Sequence, residues 1–233
     1  MNVKWVRGRE VTRIEAFVDA AFAFAVTLLV ISFNALPDSA DALIDAIKGV
    51  PAFAASFAIL AMIWWQHADW SRRYGLDDGR SVLLSLLLVF LVLVYVYPLR
   101  IIFASFFGWI SGGWLPTGIH IGSQRDLQLL FLVYAVAWTT LGFVIVGLYR
   151  HAWRKRDAID LDHEERIHLR GAIAAQWMIP ATGLLALFVL ALLALLGRPE
   201  LSGFSGLAFS LMSLTGVVVG WARRRAEREI DAA

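Results

Sequence analysis

The 233-residue chain contains no cysteine, which excludes a disulfide scaffold, thiolate metal centres and a cysteine nucleophile. Charge is scarce as well. Asp, Glu, Lys and Arg make up 17% of the residues, where soluble domains carry about 25%. Missing too are a Ser/His/Asp order, a His-Glu-x-x-His motif, a P-loop and a dinucleotide glycine motif. An enzyme reading therefore has no nucleophile, metal or cofactor site to rest on, and none is expected. The formal charge is only +2, and the basic residues sit beside apolar runs. They read as orientation signals rather than as a nucleic-acid footprint.

What the chain has in excess is hydrophobic residues, 59% of the total, gathered in long runs between short charged clusters. That pattern cannot cover a soluble core and implies a polytopic, all-α membrane protein. A helix needs about 20 apolar residues to cross the hydrocarbon, and six runs approach that length: 14–33, 50–68, 81–105, 127–149, 171–196 and 203–222. Together they predict a single six-helix transmembrane domain over 1–233. Pro51 opens the second span at a position suited to a first helical turn. With six spans, 17 of the 21 Lys and Arg residues fall on one side, leaving Lys48, Arg100, Arg125 and Arg198 opposite. Both termini are thus expected in the cytoplasm, and a composition rich in Ala, Leu and Arg suggests the inner membrane of a bacterial cell.

The segment 106–126 reads as a glycine-rich loop. The charged stretch 150–170 reads as a cytoplasmic connector, either a short exposed helix or extensions of its neighbours. His163 and His168 are five residues apart, not the spacing that puts two ligands on one helical face, so no metal site is expected there. Pro180 should kink the fifth span.

The first span holds the unusual chemistry. Asp19 lies inside an apolar run, where ionisable groups are costly and usually functional. At about 100° per residue, Phe17, Ala21, Phe24, Leu28 and Ile31 form one apolar stripe, and Asp19 faces away from it. Ala16, Ala20, Ala21, Ala23 and Ala25 permit close approach of neighbouring helices. Two readings stand: the stripe is a packing seam with Asp19 a structural residue, or it is a pore wall.

Arg13, Phe17, Asp19, Ala20, Thr27, Leu28 and Leu29 fit a pattern of Arg-x-x-x-Phe-Ser-Asp-Ala followed by an apolar run with Thr-Leu-Leu. Ser56, Phe57, Trp64 and His67 fit a second pattern, and Pro98 a third. In these residues the chain resembles the six-helix bacterial counterparts of the lysosomal potassium channel transmembrane protein 175. It departs from them at Val18, which replaces the motif serine, at Ala68, where many members have a second histidine, and at Phe24, where they usually have Ile or Leu.

The resemblance implies a homotetramer in the lipid bilayer, with the first helix of each subunit lining a central pore. No carbonyl filter loop of the Thr-Val-Gly-Tyr-Gly kind occurs, so selectivity for potassium would be weak. Phe24, Leu28 and Ile31 would form a hydrophobic gate, Thr27 would be the candidate for selectivity, and potassium the permeant ion, with no cofactor. Arg13, Phe17, Asp19, Trp64 and His67 would brace the pore helix, His67 either as a structural histidine or as a proton sensor. The alternative is a proton-coupled secondary transporter that uses Asp19 and His67.

Overall fold

The computed structural model describes residues 7–8, 10–31, 38–119 and 122–231. Among these residues the chain is all-helical. Its elements are α1 (Arg13–Ile31), α2 (Ala40–Lys48), α3 (Val50–Tyr74), α4 (Gly79–Ile110), α5 (Gln124–Arg154), α6 (His163–Leu195), a 3-10 segment (Pro199–Leu214) and α7 (Thr215–Asp231). Five stretches are long and apolar enough to cross a membrane: α3, α4, α5, α6, and the 3-10 segment with α7 through Glu229. The 19 residues of α1 carry Arg13, Glu15 and Asp19 and are not among the five.

Caps explain why the helices outrun the apolar spans. Ser123 and Asp126 form a reciprocal capping box that starts α5 at Gln124, and Asp162 with Glu165 does the same for α6. Each box satisfies backbone N–H groups that the first turn leaves open. The charged connector therefore shrinks to 155–162, its flanks being extensions of α5 and α6. Likewise α4 continues to Ile110, beyond the expected loop start at 106. In the linker before α3, Ser39 caps the nine-residue α2, a helix that the sequence reading does not anticipate. Pro51 stands in the first turn of α3, where its missing N–H costs nothing.

The expected sixth span is the one that changes character. Residues 199–214 form a 3-10 helix, and α-helix begins only at Thr215. Such runs rarely exceed three or four residues. Here Ser202, Ser205, Ser210, Ser213 and Thr215 each donate a hydroxyl hydrogen bond to the carbonyl three residues back, at 2.6–2.8 Å. These side-chain bonds match the three-residue period.

A continuous apolar core joins α1, α3, α4, α5 and α6 around Leu29, Leu88, Ile145, Leu148 and Leu169. A smaller one, Ala135, Ala186 and Ala208, forms where α5, α6 and the 3-10 segment meet. α5 and α6 cross closely. A Cβ at Gly142 would stand 2.7 Å from Cδ of Pro180, so only glycine lets the two backbones approach there.

Most of the bundle's charged-group contacts gather at one end, the Lys48–Asp45 pair of α2 lying apart from them. Asp78 of the α3–α4 turn meets His151 and Lys155, His168 lies between Arg73 and Arg223, and Arg170 pairs with Glu229. Partial burial alone would raise the Asp78 carboxyl's pKa. Hydrogen bonds from the backbone N–H of Ser81, from His151 and from the Ser81 hydroxyl win, and hold it well below the usual carboxylate range.

Candidate functional site

α1 starts at a Thr12 cap, whose Oγ1 accepts from the backbone N–H of Glu15 at 3.2 Å. Its residues then divide into two faces. Glu15, Val18, Phe22, Ala25 and Leu29, spaced three and four apart, are buried against the chain's own helices, Val18 completely. This explains why an aliphatic residue is accommodated where a serine was expected from the resemblance: position 18 is a core position. Ala16, Phe17, Asp19, Ala20, Ala23, Phe24, Thr27 and Val30 are exposed.

The expected stripe is therefore not a packing seam within the chain. Phe17 and Phe24 are 52% and 55% exposed, while Ala21 and Leu28 are half-buried at the edge of the core. The side chain of Ile31 lies outside the described residues. Projected at about 100° per residue, the middle of the open face holds Ala16, Ala20, Ala23 and Thr27, with Phe17 and Phe24 on one flank and Val30 and Asp19 on the other.

The chemistry of that face differs from a lipid-facing one. The exposed side of α4 carries Leu83, Leu86, Leu87, Phe90 and Val94, the large apolar residues that suit acyl chains. α1 instead mixes alanines, a hydroxyl and a carboxyl with Phe17, Phe24 and Val30. Small residues let helix backbones come close, which is how helices associate where lipid supplies no hydrophobic drive. The Thr27 hydroxyl donates to the Ala23 carbonyl at 3.0 Å. That bond uses its hydrogen and leaves oxygen lone pairs to face outward.

Asp19 has a partner on α3: Trp64 donates its Nε1–H to Oδ1 at 2.7 Å. His67, one turn on, points elsewhere. It is 2% exposed, and its Nε2 lies 2.9 Å from the Ser85 hydroxyl on α4. The structure thus brings together Asp19 with Trp64, and His67 with Ser85, as two separate pairs. Arg13 stands apart. It is exposed, and among the described residues no hydrogen bond or ion pair joins it to Asp19, Trp64 or His67.

Sequence reasoning missed two supports of α1. Arg100 of α4 donates from Nη1 to the Leu29 carbonyl at 3.0 Å, one of the carbonyls that the last turn leaves unpaired. Arg7, ahead of α1, binds Glu165 through both terminal nitrogens, at 2.6 and 2.7 Å. Neither partner is close in sequence, so no local signal reports the pair. Ser85 was equally silent, being one small residue in a long apolar run.

Fold and site define an integral helical membrane protein in which one short helix leaves open a face that mixes small, polar and apolar residues. Known proteins narrow this class. The family model described as "Endosomal/lysosomal potassium channel TMEM175" matches residues 13–98, which takes in α1, α3 and α4 up to Pro98. A protein of Marivirga tractuosa named "Potassium channel" is 33% identical over 190 residues, covering 78% of this chain and 76% of the relative. The crystal structure of a variant of the potassium channel MtTMEM175, in complex with a nanobody–MBP fusion protein, superposes with a TM-score of 0.81 at 29% identity. That match covers 97% of this chain and 99% of the other. The chain belongs to the TMEM175 family of potassium channels, a family of channels and not of enzymes.

Proposed function

We propose that this chain is a potassium-permeable, weakly selective cation channel, formed by four copies with α1 of each lining a central pore. The observation that carries the reading is the open face of α1, where alanines, Thr27 and Asp19 stand among Phe17, Phe24 and Val30, while the exposed side of α4 is a run of large apolar residues. Such a face suits other helices and a water-filled path better than acyl chains. Each subunit would then be a single domain of six spans, α1 being the sixth. The basic end faces the cytoplasm of a bacterial cell, in accord with the bias of Lys and Arg.

Phe24, Leu28 and Ile31 form the gate in this reading. A ring of such side chains blocks ions by excluding water when narrow. Thr27 presents oxygen lone pairs beside the ring and favours potassium modestly. Asp19 and Trp64 hold α1 to α3, Phe17 flanks the open face, His67 fixes α3 to α4, and Arg13 lies at the cytoplasmic entrance.

The test is flux. Purified protein in potassium-loaded liposomes should pass potassium faster than sodium, exclude chloride and need no counter-substrate. Phe24→Ala and Leu28→Ala should each increase the leak. Flux that requires a proton gradient would indicate a transporter instead, and no effect of either substitution in assembled protein would remove those residues from the gate.

A further inference from the structure

Arg7 precedes the first residue of α1 by six positions and is the focus of an unusually complete set of contacts. Its guanidinium grips both carboxylate oxygens of Glu165, at 2.6 and 2.7 Å, while Nε donates to the Ile159 carbonyl at 2.7 Å and Nη2 to the Asp160 carbonyl at 2.9 Å. The backbone N–H groups of Arg7 and Gly8 both donate to the Arg72 carbonyl, at 3.1 and 3.0 Å. One residue thus ties the root of α1 to the end of α3 and to the connector that leads from α5 into α6.

The acceptors are built for it. Glu165 is buried, and its Oε2 also accepts from the backbone N–H of Asp162. Asp160 has a φ of +47°, a left-handed conformation that a non-glycine residue adopts at a cost; its carbonyl is one of the two that bind the guanidinium. On the other side, Gly75 at the end of α3 has a φ of +57°. A Cβ there would approach Arg7 to 3.1 Å, so the tight docking of the segment depends on this glycine. A planar fork with its donors in fixed directions fits such a cup; a lysine would not.

We infer that Arg7 is a positioning residue for the gate, a latch that holds the cytoplasmic root of α1 against the α5–α6 connector and so opposes the displacement of α1 by which the pore widens. This rests on the reading of α1 as the pore helix. The latch also makes the connector 155–162 and the first turn of α6 a place from which a change reaches the gate, because any rearrangement of Asp160 or Glu165 releases α1 at its root.

The experiment compares the full-length wild type, Arg7→Lys and Arg7→Gln, reconstituted in bilayers, by single-channel recording in potassium chloride and by amide hydrogen exchange. In Arg7→Gln, exchange across the first turns of α1, residues 13–20, should run about tenfold faster, the equivalent of one lost charge-assisted hydrogen bond. Open probability should rise by about threefold or more, with unitary conductance and the potassium-to-sodium permeability ratio unchanged, as expected when a two-state element is biased without altering the path. Arg7→Lys should fall between the two, because it keeps the charge and loses the fork. The latch is overturned if faster exchange stays confined to 155–165, if open probability is unchanged or falls, or if unitary conductance is what changes. Should the wild type itself pass no ions, the channel reading is what fails, and the exchange at 13–20 decides the latch alone.

Discussion

Replacing Gly142 by alanine should loosen the bundle at the close crossing of α5 and α6, and the structure permits the size of the effect to be worked out. The new Cβ would stand 2.7 Å from Cδ of Pro180, 2.8 Å from its N and 2.8 Å from Cγ2 of Ile179. Non-bonded carbons settle at about 3.5–4.0 Å, so α5 and α6 must separate by about 1 Å. Ile179 can turn aside; the Pro180 ring and backbone cannot. Overpacking costs about 1–3 kcal/mol, and two contacts with a rigid ring place this case at the upper end. Against it stands the helix preference for alanine over glycine, about 1 kcal/mol. The net expectation is a destabilisation of about 2 kcal/mol. Unfolding in mixed micelles, followed by helical circular dichroism as SDS is added, measures it. Gly216→Ala is the control: nothing lies within 4 Å of a Cβ at that position of α7, so it should be neutral or stabilising by up to about 1 kcal/mol. If Gly142→Ala proves as stable as the wild type while the control behaves, the close approach of α5 and α6 is not a constraint.

Ser85→Ala removes the partner of a buried histidine nitrogen and should cost about 1–3 kcal/mol in the same unfolding assay; an unchanged midpoint would show that His67 is satisfied by something else. Because the folded-state pKa of Asp78 is depressed, its contribution is fully present above the unfolded value of about 3.9 and is lost as pH falls through the lower folded value. Thermal stability in detergent should therefore decline more steeply below about pH 4 for the wild type than for Asp78→Asn, and equal slopes would refute the assignment. Thr27→Val keeps the shape and removes the oxygen; the potassium-to-sodium permeability ratio should fall towards about 1 while flux persists, and an unaltered ratio would clear Thr27 of any role in selectivity.

The α-helical runs were legible because bilayer thickness imposes a length and an apolar composition that periodicity can count. Their ends were not, since the side chains that set them, such as Asp162 and Glu165, lie in charged stretches that read as linker. The 3-10 segment left a trace in the spacing of Ser202, Ser205, Ser210 and Ser213, yet apolar composition alone cannot separate a three-residue period from an α-helix in so hydrophobic a run. At the site, the position of Asp19 inside an apolar helix was informative, and its bond to Trp64 spans 45 residues that only the fold brings together. Arg13 shows the limit of such reasoning. Six residues on a helix correspond to about 600°, which turns Arg13 some 120° away from Asp19; similar depth does not make two residues neighbours.

The supports of α1 differ in kind along its length, and that has a mechanical consequence. Below the helix, Arg7 and Gly8 fasten the chain to α3 and the connector. Near the first third, Asp19 accepts from Trp64; at the far end, Arg100 holds the Leu29 carbonyl. Each is a directional bond that is lost within about 1 Å of displacement. From Ala21 to Val26 the inner face of α1 packs Phe22 and Ala25 into the apolar core, with Ala21 and Val26 at its edge. Dispersion contacts are weak individually and non-directional, so small side chains can slide where a hydrogen bond would break. The stretch between Asp19 and Leu29 contains Phe24, proposed for the gate, and Thr27, proposed for selectivity. The Arg7, Trp64 and Arg100 bonds hold the helix on both sides of it. Movement of the whole helix would have to break them first, which is why loss of the Arg7 contacts should register in open probability before it registers in conductance.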